Sequence, residues 1–302
     1  MEYILTTENL TKSYGKFNAA DQINIHIRKG EVYGLIGRNG AGKTTILKMI
    51  CGLSTPSSGS YTFMGKSGRE LSKYKNKIGA LIETPALFPK MTAFQNIKLK
   101  CLSLGINDDE YIRSLLEIVG LSHAEKKIAK SFSLGMKQRL GIAIALVGDP
   151  DFIVLDEPIN GLDPQGIAEM RCIIHKLSKE KGLTIIISSH ILDELVKVAD
   201  SFAIINNGKL LDEFTSAELV QRCNTYAYLR TSDTEKAQEI LTALNVSEYE
   251  LVEDDTIKIS SEIEDSSKII EQLVKAGVAV YEFAFKKMTL EEYYLDSTGR
   301  NV

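Results

Sequence analysis

The chain has 302 residues, of which 44% are hydrophobic and 25% charged, a length that favours one large domain with an appendage or two domains. Its balance is that of an ordinary globular protein, with no Pro/Ser-rich or low-complexity tract to argue for disorder. A net charge of -4 and a pI near 5.7 give no sign of the basic surface that nucleic acid favours, so no nucleic-acid partner is expected.

The first residues, MEYILTTENLTKSYGK, carry Glu2 and Glu8 and lack the basic start and apolar core of a signal peptide, so a cytoplasmic location is expected. Apolar runs reach only strand length, far short of the ~20 residues that span a bilayer. Any attachment to the inner face of a membrane must then come through a partner. Cys51, Cys101, Cys172 and Cys223 are scattered without metal-ligand spacing and are read as free thiols in a reducing compartment.

Val32 to Ile36 is a continuous apolar run, as in a strand buried on both faces of a parallel sheet, and Thr44 to Ile50 reads as a helix stopped by Gly52. Between about residues 85 and 147 the pattern is mainly helical. Leu140, Ala143, Ile144 and Val147 recur at helical spacing, which places a buried helix just beyond Gly135. Further strands are predicted at Phe152 to Leu155 and Thr184 to Ser188, with a helix over Ile191 to Ala199. This alternation predicts an α/β core carrying a helical insert.

From about Tyr226 the rhythm becomes strand (Tyr226 to Arg230), helix (Thr234 to Leu244), strand (Glu250 to Val252), strand (Thr256 to Ile259), helix (Ser266 to Ala276) and strand (Val278 to Phe283). That βαββαβ order predicts a small α+β domain over 223–302, following a main domain over 1–222. Thr289 and Glu292 form a capping box for a last short helix ending near Asp296.

Chemistry concentrates in the main domain. Gly37-Arg38-Asn39-Gly40-Ala41-Gly42-Lys43-Thr44 fits G-x-x-x-x-G-K-[ST] between a strand and a helix, and Thr45 follows it. Glycines there let backbone N–H groups curl around a phosphate, Lys43 reaches the β/γ oxygens, and the Thr44 hydroxyl is a Mg²⁺ ligand. Asp156 and Glu157 end the next apolar strand: the first suits the Mg²⁺ shell and the second suits polarising an attacking water. Alone, such a pair is more often a solvated turn, and a histidine such as His190 after a strand is more often structural. All three groups nevertheless follow strand ends, where ligands gather in open α/β sheets, and so are expected to converge on one γ-phosphate.

Phe132-Ser133-Leu134-Gly135-Met136, followed by Lys137-Gln138-Arg139, resembles the LSGGQ signature of ABC ATPases, and the resemblance covers about residues 3–220. It implies the P-loop ABC-ATPase fold, ATP and Mg²⁺ as bound groups, and a homodimer or heterodimer of ATPase subunits powering a membrane-spanning permease. In that arrangement Ser133, Gly135 and Met136 cap the nucleotide of the other subunit. Tyr14 resembles the residue on which adenine stacks, Asn160-Gly161-Leu162-Asp163 the D-loop with Asp163 at the dimer seam, and His190 the switch histidine. Catalysis would fall to Glu157, His190 and Lys43, and Mg²⁺ to Thr44, Asp156 and Glu83.

Two departures stand out. Leu134 and Met136 replace the usual Gly and Gln of the signature, and Glu83 stands where the family ordinarily has a glutamine touching Mg²⁺. A carboxylate there should cost nucleotide binding unless a neighbour or Mg²⁺ compensates, although a surface glutamate would also explain it. The glutamate and the small last domain are similar to ATPases of bacitracin-resistance and lantibiotic-immunity exporters. The competing readings are a soluble mechanical ATPase of translation or repair and a nucleotide-dependent regulatory module. The former usually carries a second cassette or a long coiled coil, neither of which is present, and Glu157 with His190 argues against the latter.

Overall fold

The computed structural model describes residues 2–222, 225–261 and 266–299. Cys223 lies outside the described residues, while Cys51, Cys101 and Cys172 are free thiols. Two units are distinguished, Met1–Ser216 and Ala217–Val302.

In the first unit β1 (Tyr3–Tyr14) pairs antiparallel with β2 (Phe17–Ile23) and β3 (His26–Arg28). β4 (Val32–Ile36) is buried along its whole length and leads through the glycine-rich loop into α1 (Lys43–Ile50). β5 (Ser58–Phe63) and β6 (Lys66–Ser67) return to β1, completing an antiparallel sheet ordered β2-β1-β5-β6 with β3 also on β1. β7 (Ile78–Leu81) is followed by three helices: α2 (Ala93–Ser103), α3 (Asp109–Ile118) and α4 (Leu134–Ala145). β8 (Phe152–Asp156), α5 (Pro164–His175), β9 (Thr184–Ser189), α6 (Leu192–Leu195), β10 (Ser201–Asn206) and β11 (Lys209–Thr215) follow, and α7 (Ser216–Arg222) begins at the unit boundary.

The second sheet runs β11-β10-β4-β9-β8-β7, parallel except for β11, which returns from β10 through Asn207 and Gly208. Both of these residues have positive φ, 49° and 78°, as a two-residue primed hairpin turn requires. One core joins the two sheets: Ile46, Leu47, Met49 and Ile50 of α1 pack with Leu5, Leu10, Ile23 and Phe63 of the first and with Leu35, Val154 and Ile186 of the second. The Phe63 and Phe152 rings meet at 5.9 Å across it. Helix α1, and with it the loop before it, is thereby clamped between two layers.

In the helical insert each start is capped. Thr92 and Gln95 form a capping box on α2, while Asp108 and Ser133 accept from first-turn amides of α3 and α4. The buried Asn96 of α2 holds the preceding loop, donating to the carbonyls of Phe88, Met91 and Thr92 and accepting from the Phe88 N–H.

The second unit is a four-stranded antiparallel sheet ordered β13-β14-β12-β15, from β12 (Thr225–Thr231), β13 (Tyr249–Glu253), β14 (Thr256–Ile259) and β15 (Val280–Lys287). α8 (Thr234–Ala243) and α9 (Ser266–Lys275) bury Ala237, Leu241, Ile269 and Leu273 against Ala227, Leu229, Ile257 and Ile259. This is the split-βαβ arrangement. α10 (Leu290–Ser297) starts at the Thr289–Glu292 box, and Tyr226 donates to Glu292 at 2.7 Å.

Three details differ from the sequence reading. The antiparallel sheet before residue 68 was not anticipated. The helix read over Ile191 to Ala199 is the single turn α6, because Val198 tightens onto the Leu195 carbonyl, three residues back, before the chain enters β10. Val278, read as the start of a strand, instead closes α9: with Gly277 at φ +78°, the Val278 N–H donates to the Leu273 carbonyl.

Candidate active site

The loop between β4 and α1 is shaped by what its glycines avoid. A Cβ on Gly42 would sit 2.2 Å from the Ala19 carbonyl oxygen and one on Gly37 would sit 2.5 Å from that of Ile205, so the loop is threaded between strands. Gly40, at φ +81°, faces open space. Arg38 and Asn39 beside it are exposed, Ala41 is buried, and Thr45 is partly buried in the first turn of α1. Unlike the starts of α2 to α5, that of α1 has no side-chain cap, so its first amides are left for an anion.

Lys43 is only 5% exposed, and its ammonium donates to the Gly37 carbonyl at 2.6 Å and lies 3.0 Å from Glu157 Oε1. The other Glu157 oxygen is 2.7 Å from His190 Nδ1. One carboxylate thus bridges a lysine and a histidine. Glu157 adopts φ 49°, unusual outside glycine, and is fixed there by its N–H donating to the Ser188 hydroxyl at 2.9 Å.

Beside it, Asp156 is 2% exposed and receives two hydroxyl donors, Thr44 at 2.8 Å and Ser188 at 2.6 Å. Strand register explains the second contact, since Asp156 on β8 pairs directly with Ser188 on β9. Among the described residues no three His, Cys, Asp or Glu side chains converge as a metal cage. The oxygen pair of Thr44 and Asp156 fits Mg²⁺, which keeps several waters and takes other ligands from phosphate. Glu83, read as a third Mg²⁺ ligand, instead has its carboxylate 2.6 Å from Lys48, one turn beyond Thr44 on α1.

The structure brings Lys43, Thr44, Asp156, Glu157 and His190 into one cluster. Ser133 and Asp163 form a second location, each capping its own helix, α4 and α5. Their turns adjoin: a Cβ on Gly161 would meet Leu134 at 3.2 Å, and one on Gly135 would meet Leu162 at 3.7 Å. Among the described residues neither Ser133 nor Asp163 shares a hydrogen bond or ion pair with the phosphate loop of its own chain. Met136 donates its N–H to Ser133, and Leu134 is 45% exposed at the same tip. Tyr14 is 58% exposed at the end of β1, with the Lys12 ammonium 5.3 Å from its ring centre.

Sequence reasoning missed Ser188, which ties Asp156 to Glu157, and Lys48, which meets Glu83. A serine ending an apolar strand was the available signal for the first, and the four-residue spacing from Thr44 for the second.

A phosphate loop entering a clamped helix, with paired carboxylates and a histidine at neighbouring parallel strand ends, defines a P-loop nucleotide hydrolase of α/β fold. Residues 20–160 match the family described as ABC transporter. The chain is 40% identical over 301 residues to the bacitracin transport ATP-binding protein BcrA of Bacillus licheniformis, covering 99% of this chain and 98% of the relative. It is 48% identical over 212 residues to the lantibiotic transport ATP-binding protein SrtF of Streptococcus pyogenes, covering 70% and 90%. Among solved structures, cbiO1 from Clostridium perfringens, part of the ABC transporter complex cbiONQ, superposes with a TM-score of 0.67 at 29% identity, covering 81% of this chain and 97% of that one. The chain belongs to the ABC transporter family, as an ATP-binding component that hydrolyses ATP.

Proposed function

We propose that two copies of this chain, or one copy and a sister ATPase, close on two ATP molecules and so drive a separate membrane permease that exports a peptide antibiotic or similar amphiphile. The observation that carries the reading is the Lys43–Glu157–His190 chain beside the Thr44–Asp156–Ser188 cluster, with Ser133 and Asp163 held at another turn of the same unit. Neither location is complete alone. A second copy would bring its Ser133, the Gly135 backbone and Met136 over the γ-phosphate cradled by Gly37 to Thr45, with Asp163 at the seam and adenine against Tyr14.

The Lys43 ammonium, now shared by Glu157 and the loop carbonyls, would turn to the β/γ oxygens when a nucleotide enters, and Glu157 would be freed toward the attacking water. His190 holds the second Glu157 oxygen and so keeps the carboxylate aimed. Water oxygen bonds to the γ-phosphorus, the bond to the β–γ bridging oxygen breaks, ADP leaves, and Glu157 receives the water proton. Mg²⁺, which Thr44 and Asp156 would hold while Glu83 stays paired with Lys48, would supply charge neutralisation of the departing phosphate oxygens. No helix among the described residues is long and apolar enough to cross a membrane. The chain would therefore sit peripherally on the cytoplasmic face through the permease, and the export of an antibiotic is supported by the transport named for the bacitracin and lantibiotic relatives.

Glu157→Gln removes the proton acceptor and keeps the fold of the site. Gel filtration with ATP and Mg²⁺ should show this variant accumulating as a dimer that retains nucleotide. A variant that binds ATP yet elutes only as a monomer would reject the sandwich.

A further inference from the structure

Glu83 poses an electrostatic problem that the fold resolves. Its position is set by its surroundings: it follows the buried end of β7 at φ 59°, and the loop after it is held by Asn96 and by α4, where a Cβ on Gly141 would lie within 3.0 Å of Pro85. The Glu83 carboxylate is exposed yet reaches α1 one turn beyond Thr44, and a negative charge there repels the anion the loop is built to hold. Lys48 answers it at 2.6 Å from the helix that carries Lys43 and Thr44. Lys48 stands four residues beyond Thr44, whose hydroxyl donates to Asp156, so one face of α1 meets both carboxylates.

We infer that Lys48 is a positioning residue whose task is to offset Glu83, so that the two side chains work as one unit and the need for Lys48 exists only while residue 83 carries a charge. Offset and held by Lys48, Glu83 costs nucleotide binding little and stays at the loop that joins the phosphate site to the helical insert. Stripped of that partner, the carboxylate is left to repel the triphosphate. With glutamine at 83 there is no charge to offset, and Lys48 becomes an ordinary surface lysine.

The inference rests on the nucleotide site proposed above, and a double-mutant cycle on the full chain separates the two. Dissociation constants for a fluorescent non-hydrolysable ATP analogue with Mg²⁺ would be measured for the wild type, Lys48→Met, Lys48→Arg, Glu83→Gln and the Lys48→Met/Glu83→Gln pair, with Lys43→Ala as control. Lys48→Met should weaken binding roughly threefold or more, the scale of a partly exposed ion pair, and Lys48→Arg should restore it. In the Glu83→Gln background the same Lys48→Met change should alter binding by less than about twofold. Equal losses in both backgrounds, or no loss in either, would overturn the pairing while leaving the site intact. Equal binding by wild type and Lys43→Ala, or none by either, would overturn the site itself and the inference with it. Melting curves without nucleotide should superpose for the Lys48 variants, which keeps a binding loss from being read as unfolding.

Discussion

Ser188 serves two neighbours with one hydroxyl, donating to Asp156 Oδ1 and accepting from the Glu157 N–H. Replacing it with alanine leaves the buried Asp156 Oδ1 short of its donor, while the Glu157 N–H keeps its bond to the Ser188 carbonyl, for a cost of about 2 kcal/mol. Ser188→Ala should lower stability in urea by that amount and slow phosphate release while nucleotide still binds, because Lys43 and the loop are untouched; unchanged stability and rate would show that the hydroxyl is idle. Lys43, Thr44, Asp156, Glu157 and His190 were legible in the sequence because each stands at a fixed distance from a strand end or inside a spaced motif. Ser188 and Lys48 were not, since one acts through cross-strand register and the other through a partner 35 residues away. The charge at Glu83 was visible; its neutralising partner needed the fold.

At the level of elements, the start of α4 carries two roles on one residue. Ser133 caps the helix by accepting from the Met136 N–H, and the proposed sandwich asks the same hydroxyl to address a phosphate of the other copy. Aspartate separates the roles, because it caps as well as serine but presents a negative charge to an anion. Ser133→Asp should therefore melt near wild type yet fail to dimerise with ATP in gel filtration, whereas Ser133→Ala should lose about 1 kcal/mol of stability. An aspartate variant that dimerises normally would confine Ser133 to capping. The strands β4, β8 and β9 were readable because burial on both faces keeps their middles continuously apolar, with Asp156, Thr184, Ser188 and Ser189 confined to strand ends. β1 was not: its threonine-rich run is broken by register shifts against β2, β3 and β5, so neither period dominates. In the second unit the charged turn at Asp254 and the amphipathic spacing of α8 and α9 made the element order plain.

At the scale of the whole molecule, the phosphate-gripping residues and the capping residues occupy separate turns of the first unit, with the second unit folded around its own core. In the proposed sandwich each chain holds half of two sites, and its chemistry should depend on meeting another copy. Orthophosphate release from purified chain supplied with ATP and Mg²⁺, followed over a range of chain concentrations, tests this most directly. The account expects release that needs Mg²⁺, vanishes in Lys43→Ala, and rises per chain as concentration increases before levelling off. Release at the same rate per chain from the most dilute solution upward, or none even with the permease present, would contradict it.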